Sequence, residues 1–213
     1  IRLGGFGMID ILITNGQVVD GTGAPPIYAS VAVKGDKLWV LREDTSRLKA
    51  RRVIDANSKI VCPGFIDIHA HSSLMILDKP EHMPKVHQGV TTEVIGIDGV
   101  SYAPFRKEDD LRRMIWIHSG FDGSPELPKI WDSVGDYLEM LDRKVAINMA
   151  TMVGNSPLRV GAKGWRIGVS SRKEMDVQTS LLKEAMDDGA FGLSTGLDYP
   201  PGSYAQTDEL VEL

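Results

Sequence analysis

The feature that most constrains this chain is a change of hydrophobic rhythm at Pro63-Gly64. Before it, apolar residues come in short alternating runs separated by turn residues, the period-two pattern of strands. After it, short apolar runs alternate with amphipathic stretches of helical period, which is how parallel βα units read. The spacing predicts a small β-sandwich contribution over residues 1–62 and an α/β unit over residues 63–213.

In the first part, residues 10–14 run extended to Asn15-Gly16, a turn dipeptide, and residues 17–20 resume the strand. Residues 28–34 and 37–41 flank Gly35-Asp36 as a hairpin, and residues 52–55 pair with 59–62 around Ala56-Asn57-Ser58. In the second part, residues 65–68 form a strand with Phe65, Ile66 and Ile68 buried. A helix over 80–88 stops at Gly89, and residues 90–97 make the next strand. Helices follow over 108–118 and 134–143, then a buried strand over 145–150. Residues 172–188 carry an apolar face (Leu181, Leu182, Ala185, Met186) and lead to a strand over 190–193.

That amounts to about four βα units, whereas a closed eight-unit barrel takes roughly 250 residues. Residues 207–213 open a further helix with Thr207 as N-cap, so the chain is expected to be a piece of a longer protein. Met8 is the expected natural start, with Ile1–Gly7 an upstream remnant. An open half-barrel exposes strand edges and apolar helix faces, so its folded form is expected to lean on residues after Leu213.

Composition removes several function classes. The 24 Lys and Arg against 29 Asp and Glu give a formal charge of −5, with no basic stripe interleaved with aromatic residues. Nucleic acid is therefore not an expected partner. No apolar run approaches the ~18 residues of a membrane span, and residues 1–9 lack the apolar stretch of a signal peptide. The single cysteine, Cys62, excludes an internal disulfide and a Cys-rich zinc module and fits a cytoplasmic location. It is expected to be a buried packing residue. Gly21-Thr-Gly23 and Gly161-Ala-Lys-Gly164 both lack the spacing of nucleotide-phosphate loops.

The sharpest chemical signal is Gly64-Phe-Ile-Asp-Ile-His69-Ala-His71. A strand's side-chain period of two points His69 and His71 the same way, at the strand end where α/β barrels place their sites. Two such imidazoles are half a metal site; the plainer alternative is a pair of surface or hydrogen-bonded histidines. Asp98, in Gly96-Ile-Asp98-Gly99 after a strand, is the candidate third ligand, its alternative being an ordinary Asp-Gly turn. His82, His87 and His118 lie on predicted helices and read as solvated side chains. The loop Ser194-Thr-Gly-Leu-Asp-Tyr-Pro-Pro-Gly202 lies at an active-site position only if a barrel is present.

These residues resemble a known family. Asn15-Gly-Gln-Val-Val-Asp20-Gly-Thr-Gly and Val61-Cys-Pro-Gly-Phe-Ile-Asp-Ile-His-Ala-His71 are similar to the amidohydrolase superfamily. Gln88-Gly-Val-Thr-Thr-Glu-Val-Ile-Gly96 and the segment from Gly189 to Gly202 resemble its N-acyl-D-amino-acid deacylase branch. The resemblance implies a metal-dependent (β/α)8 barrel beside a small β-sandwich built from both chain ends. It implies zinc, as one or two divalent ions, held by His69 and His71, and Tyr199 as a substrate-binding residue. Many deacylases of this branch read Gly-Asn-Cys-Gly where this chain has Gly96-Ile-Asp98-Gly99, so Asp98 stands in for a cysteine ligand. Val153-Gly-Asn155-Ser156 departs too, since many relatives read Val-Gly-His-Gly. Two further histidines and the general-base aspartate would lie beyond Leu213.

The implied activity is hydrolysis of the linear amide of a small-molecule N-acyl-D-amino acid through a metal-activated hydroxide, with this segment alone inactive. The alternative within the superfamily is a cyclic-amide hydrolase of the dihydroorotase or hydantoinase kind, whose usual bridging lysine has no convincing counterpart here. A non-catalytic scaffold relative is the alternative outside enzymes, favoured by the departures at Asp98 and Asn155.

Overall fold

The computed structural model describes residues 7–213 except Pro128 and Arg143. Residues 1–6 of the expected upstream remnant, and Arg143 at the predicted end of helix 134–143, lie outside the described residues. The chain divides into two units, Ile1–Pro63 and Gly64–Leu213.

The first unit is one mixed sheet of β1 (Ile9–Val18), β2 (Ile27–Lys34), β3 (Lys37–Leu41), β4 (Ala50–Asp55) and β5 (Ile60–Val61). The order is β3-β2-β1-β4, with β5 also on β1. The β2–β3 hairpin forms as the alternation predicts. Two turn signals act differently from expectation. Asn15-Gly16 does not reverse the chain: β1 is continuous, and its register against β2 shifts between Ile13 and Gly16. Asn15 takes a φ of 55°, and a Cβ on Gly16 would lie 2.6 Å from a Val61 methyl carbon, so the dipeptide makes a bulge. Nor do β4 and β5 pair with each other. Both run parallel to β1, one after the other along the same edge. The Ala56-Asn57-Ser58 bend is a jog that follows the bulge, with Ala56 and Ser58 amides donating to the Thr14 and Asn15 carbonyls at 2.9 and 2.8 Å. Ile9, Leu12, Ala32 and Leu41 form its buried cluster. Cys62 is exposed, not buried as expected, because it lies past the end of β5.

The second unit alternates strand and helix. Its strands are β6 (Phe65–Asp67), β7 (Val90–Ile95), β8 (Asn148–Thr151), β9 (Val153–Gly154) and β10 (Leu193–Ser194). Its helices are α1 (Met75–Asp78), α2 (Met83–Val86), α3 (Glu108–Asp122), α4 (Val134–Leu141), α5 (Asn155–Lys163), α6 (Arg172–Asp187) and α7 (Thr207–Glu212). All strand pairings are parallel and follow chain order, β6-β7-β8 and then β9-β10. Met152 marks the switch between them: its amide donates to the Ile95 carbonyl, and the next amide, Val153, to Gly192, both at 2.8 Å.

Ile95, Leu111, Met114, Tyr137, Leu158 and Ala185 belong to one large core between sheet and helices. Phe65, Ile66 and Ile68 are 58–74% exposed, contrary to expectation. Phe65 and Ile66 stand on β6, and Ile68 just past its end, at the edge of a sheet that does not close among the described residues, where neither face is covered as a barrel would cover it. The predicted helix 80–88 shortens to α2 because His82 adopts a left-handed conformation at its start. The strand over 145–150 begins only at Asn148 and is half-exposed, Ala146 donating instead to the Pro80 carbonyl. Helix α5 has no counterpart in the predicted elements. Pro157 and Gly161 hide its pattern, although Pro157 sits in the first turn, where its missing N–H costs nothing. Thr207 is the first residue of α7, whose N-cap is Gln206. No described helix is long and apolar enough to cross a membrane.

Candidate metal centre

The site is built where β6 and β7 run out. Beyond β6 the Ala70 amide still donates to the Val94 carbonyl at 3.1 Å, which holds the His69–His71 segment against β7. Beyond β7 the chain doubles back through Gly96, Asp98 and Gly99, with φ of 73°, 54° and 71°. A left-handed conformation is unusual for a residue with a side chain, so Asp98 needs external support. It has that support. The Ser194 hydroxyl donates to the Gly96 carbonyl at 2.6 Å, and the Tyr199 hydroxyl donates to the Asp98 carbonyl at 2.5 Å. Gly196 packs so closely that a Cβ there would lie 1.8 Å from the same Asp98 oxygen. Asn155 joins this layer, its Oδ1 accepting from the Gly196 amide at 3.4 Å.

The three predicted ligands come together. Asp98 Oδ2 lies 3.2 Å from His69 Nε2 and 3.4 Å from His71 Nε2, and one donor atom from each residue falls within 4.8 Å of the others. Ligands bound tetrahedrally at the usual zinc distances stand about 3.3 Å from one another. Two imidazole nitrogens and a carboxylate oxygen are also a donor set that zinc accepts, so the residues fit the ion.

A second layer was not legible in the sequence. His71 Nδ1 is 2.8 Å from Asp122 Oδ1, and Asp122 Oδ2 accepts from the Tyr102 hydroxyl at 2.5 Å. Burial, then the Asp122 charge, raises the Tyr102 phenol far above its ordinary range, so it stays a donor. Asp122 closes α3, 51 positions from His71. Its one sequence signal is an acidic residue at a helix C-terminus, against the dipole.

Tyr199 reaches the site, but with its hydroxyl spent on Asp98. Burial first, and then the Asp98 and Asp122 charges, push its phenol up to about 12. Its ring lies 5.2 Å from His118 and 6.2 Å from Phe121. His118 is not the solvated helix histidine expected. It is 1% exposed, burial lowers its pKa, and Nδ1 donates to the Met114 carbonyl at 3.0 Å. His82 is likewise engaged, its Nε2 lying 3.1 Å from Glu93 Oε1. His87 is exposed as expected.

The model of the amidohydrolase family matches residues 52–206. The chain belongs to the amidohydrolase family. It is 37% identical over 205 residues to the N-acyl-D-aspartate deacylase of Alcaligenes xylosoxydans xylosoxydans, covering 96% of this chain and 40% of that protein. To the D-aminoacylase of the same organism it is 34% identical over 205 residues, covering 96% and 41%. Among solved structures, it is similar to the N-acyl-D-glutamate deacylase of Bordetella bronchiseptica, described in complex with zinc and a phosphonate mimic of the tetrahedral intermediate. That match has a TM-score of 0.84 at 35% identity, over 97% of this chain and 42% of the other. This amidohydrolase chain thus spans about two fifths of the length of these relatives. Its second unit is part of their barrel, with the sheet not closed among the described residues.

Proposed function

We propose that the whole protein is a zinc-dependent hydrolase of N-acyl-D-amino acids, acting on a linear amide. The observation that carries this is the convergence of His69 Nε2, His71 Nε2 and Asp98 Oδ2 at the end of adjacent parallel strands. The similarity to three deacylases, at 34–37% identity, supplies the substrate class. When bound, zinc supplies Lewis acidity that activates water and polarises an amide carbonyl. His69, His71 and Asp98 would hold one ion or share a pair.

This chain's other residues orient that set. Ser194, Gly196 and Tyr199 fix the loop that carries Asp98, and the half-buried Tyr199 ring forms part of the substrate wall beside Phe121. An aspartate outside residues 1–213 takes the general-base role, and the rest of the protein closes the barrel. This leaves the 213-residue segment inactive by itself. The β-sheet unit and the barrel unit are two domains of that protein, which we place in the cytoplasm on the strength of the single cysteine among these 213 residues.

Turnover of the full-length protein on N-acetyl-D-amino acids, their L enantiomers and hydantoins tests this, with zinc content measured in parallel. Activity on the D-amides, with zinc and turnover both lost in H69A/H71A, is the expected result. Activity confined to cyclic amides would replace the deacylase assignment, and a folded, metal-free, inactive protein would end it.

A further inference from the structure

We propose that Asp122 is a positioning residue for the metal centre: it fixes the tautomer of His71, with Tyr102 holding Asp122 in turn. This rests on the zinc-site assignment above and extends it to residues that do not touch the ion.

A neutral imidazole carries one proton, and the partner of one ring nitrogen decides which nitrogen has it. A carboxylate can only accept. Asp122 Oδ1 at 2.8 Å therefore keeps the proton on His71 Nδ1, and the lone pair stays on Nε2, the atom that faces Asp98 at 3.4 Å. Asp122 is 3% exposed and its other oxygen is taken by the Tyr102 hydroxyl. Water therefore does not compete for either oxygen, and the carboxylate has no freedom to turn.

Tyr102 is itself anchored. It is 1% exposed, and its carbonyl accepts from the Trp131 indole at 2.6 Å. Trp131 packs against Tyr137 with ring centroids 5.1 Å apart, and the Tyr137 hydroxyl reaches the Ser73 carbonyl, two residues beyond His71. The relay thus closes a ring through the core and returns to the ligand segment. His69, whose side chain is 61% exposed, meets Asp98 from the solvent side. Of the two imidazoles, His71 is the one held ready before an ion arrives. Outer partners of this kind typically account for 10- to 100-fold in metal affinity.

Two measurements on the full-length protein decide this. The first is the nitrogen-15 NMR signature of His71 in metal-free wild type at a pH where the ring is neutral. The second is zinc affinity, by competition with a chromophoric chelator, in wild type, D122N and Y102F. The expected results are a proton on Nδ1 in wild type and zinc affinity lowered roughly 10- to 100-fold in D122N. Y102F should lose less. An asparagine amide can donate to Nδ1, so D122N should also move the proton to Nε2, which a merely structural role would not do. A proton on Nε2 in wild type, or D122N affinity within twofold of wild type, would overturn the proposal. If D122N does not fold, the wild-type tautomer and Y102F still decide. Wild type that binds no zinc would sink the metal assignment, and the tautomer would then report separately on Asp122.

Discussion

Strands β6 and β7 carry two ionic clusters that differ in one respect. Inside the strands, Asp67 and Glu93 are register partners, and Lys85 bridges them from α2. Glu93 is fully buried and is met by Ser72, His82 and Lys85 together. The Lys85 hydrogen bond holds the Asp67 carboxyl below its usual range, and Asp67 in turn raises the lysine. Every charge in that cluster is answered by another side chain. A few residues on, past the strand ends, His69, His71 and Asp98 point their donors at one another with side chains 61%, 32% and 44% exposed. Within the strands, the charges bind strand to helix. Beyond the strand ends, the same residue types face one another in a half-open cluster.

The largest effect expected from this contrast is Glu93→Ala. Removing one partner of a buried ion pair leaves the others uncompensated, which costs about 3–5 kcal/mol. Urea unfolding of the full-length protein reads this directly. A cost below about 1 kcal/mol would mean that the buried cluster is no more structural than the open one. Next comes Gly196→Ala, which places a methyl group where the Asp98 carbonyl already sits. Overpacking of this kind costs about 1–3 kcal/mol. Since the displaced atom belongs to a proposed ligand, zinc affinity should fall with stability. Loss of stability without loss of affinity would detach the Gly196 contact from the site.

The contrast also explains what could be read from the sequence. His69 and His71 were legible because two residues apart on a strand is a local relation. Asp98 was a candidate because it follows an apolar strand between two glycines that allow close backbone approach, although the same pattern also reads as an ordinary Asp-Gly turn. The alternation of strands and helices after Gly64 follows from hydrophobic period, and the predicted bounds of α6 hold to one residue. Asp122, Tyr102, Glu93 and His118 were not legible, because their roles depend on partners brought together by packing. Asp122 and His71 are 51 positions apart, and only the docking of α3 joins them. Exposure of Phe65, Ile66 and Ile68 was misjudged for a related reason. Composition says that a strand is apolar, but only the neighbouring strands decide whether its faces are covered.

A smaller effect, remote from both clusters, calibrates them. Ser171 and Glu174 form a reciprocal cap on α6. Ser171→Ala should cost about 0.5–2 kcal/mol and leave zinc affinity unchanged. The Ser171 amide and hydroxyl hold the Glu174 carboxyl below its ordinary value. A carboxyl with a depressed folded pKa stabilises the protein above its unfolded pKa, and loses that contribution as pH falls through the folded value. Wild type and Glu174→Gln should therefore differ in urea stability near neutral pH, and the gap should close as the pH falls through the lowered folded pKa of Glu174. A gap that persists in acid would mean that the cap acts through packing and not charge.

The smallest expected effect on the bare fold is His69→Ala, and it separates the two kinds of cluster most cleanly. Its contact with Asp98 is exposed on both sides, and exposed polar contacts of this kind are worth at most about 0–1 kcal/mol. The metal-free variant should unfold within about 0.5 kcal/mol of wild type. Zinc changes the comparison. A ligand that binds only the folded state at 100 times its Kd adds about 2.7 kcal/mol, and wild type should gain that increment while His69→Ala gains little of it. Urea curves of both proteins, with chelator and with zinc, give four stabilities from which the increment is taken by difference. If the variant keeps the full increment, His69 is not a ligand. If it loses several kcal/mol without any metal, the histidine belongs with Glu93 among the residues that hold the fold.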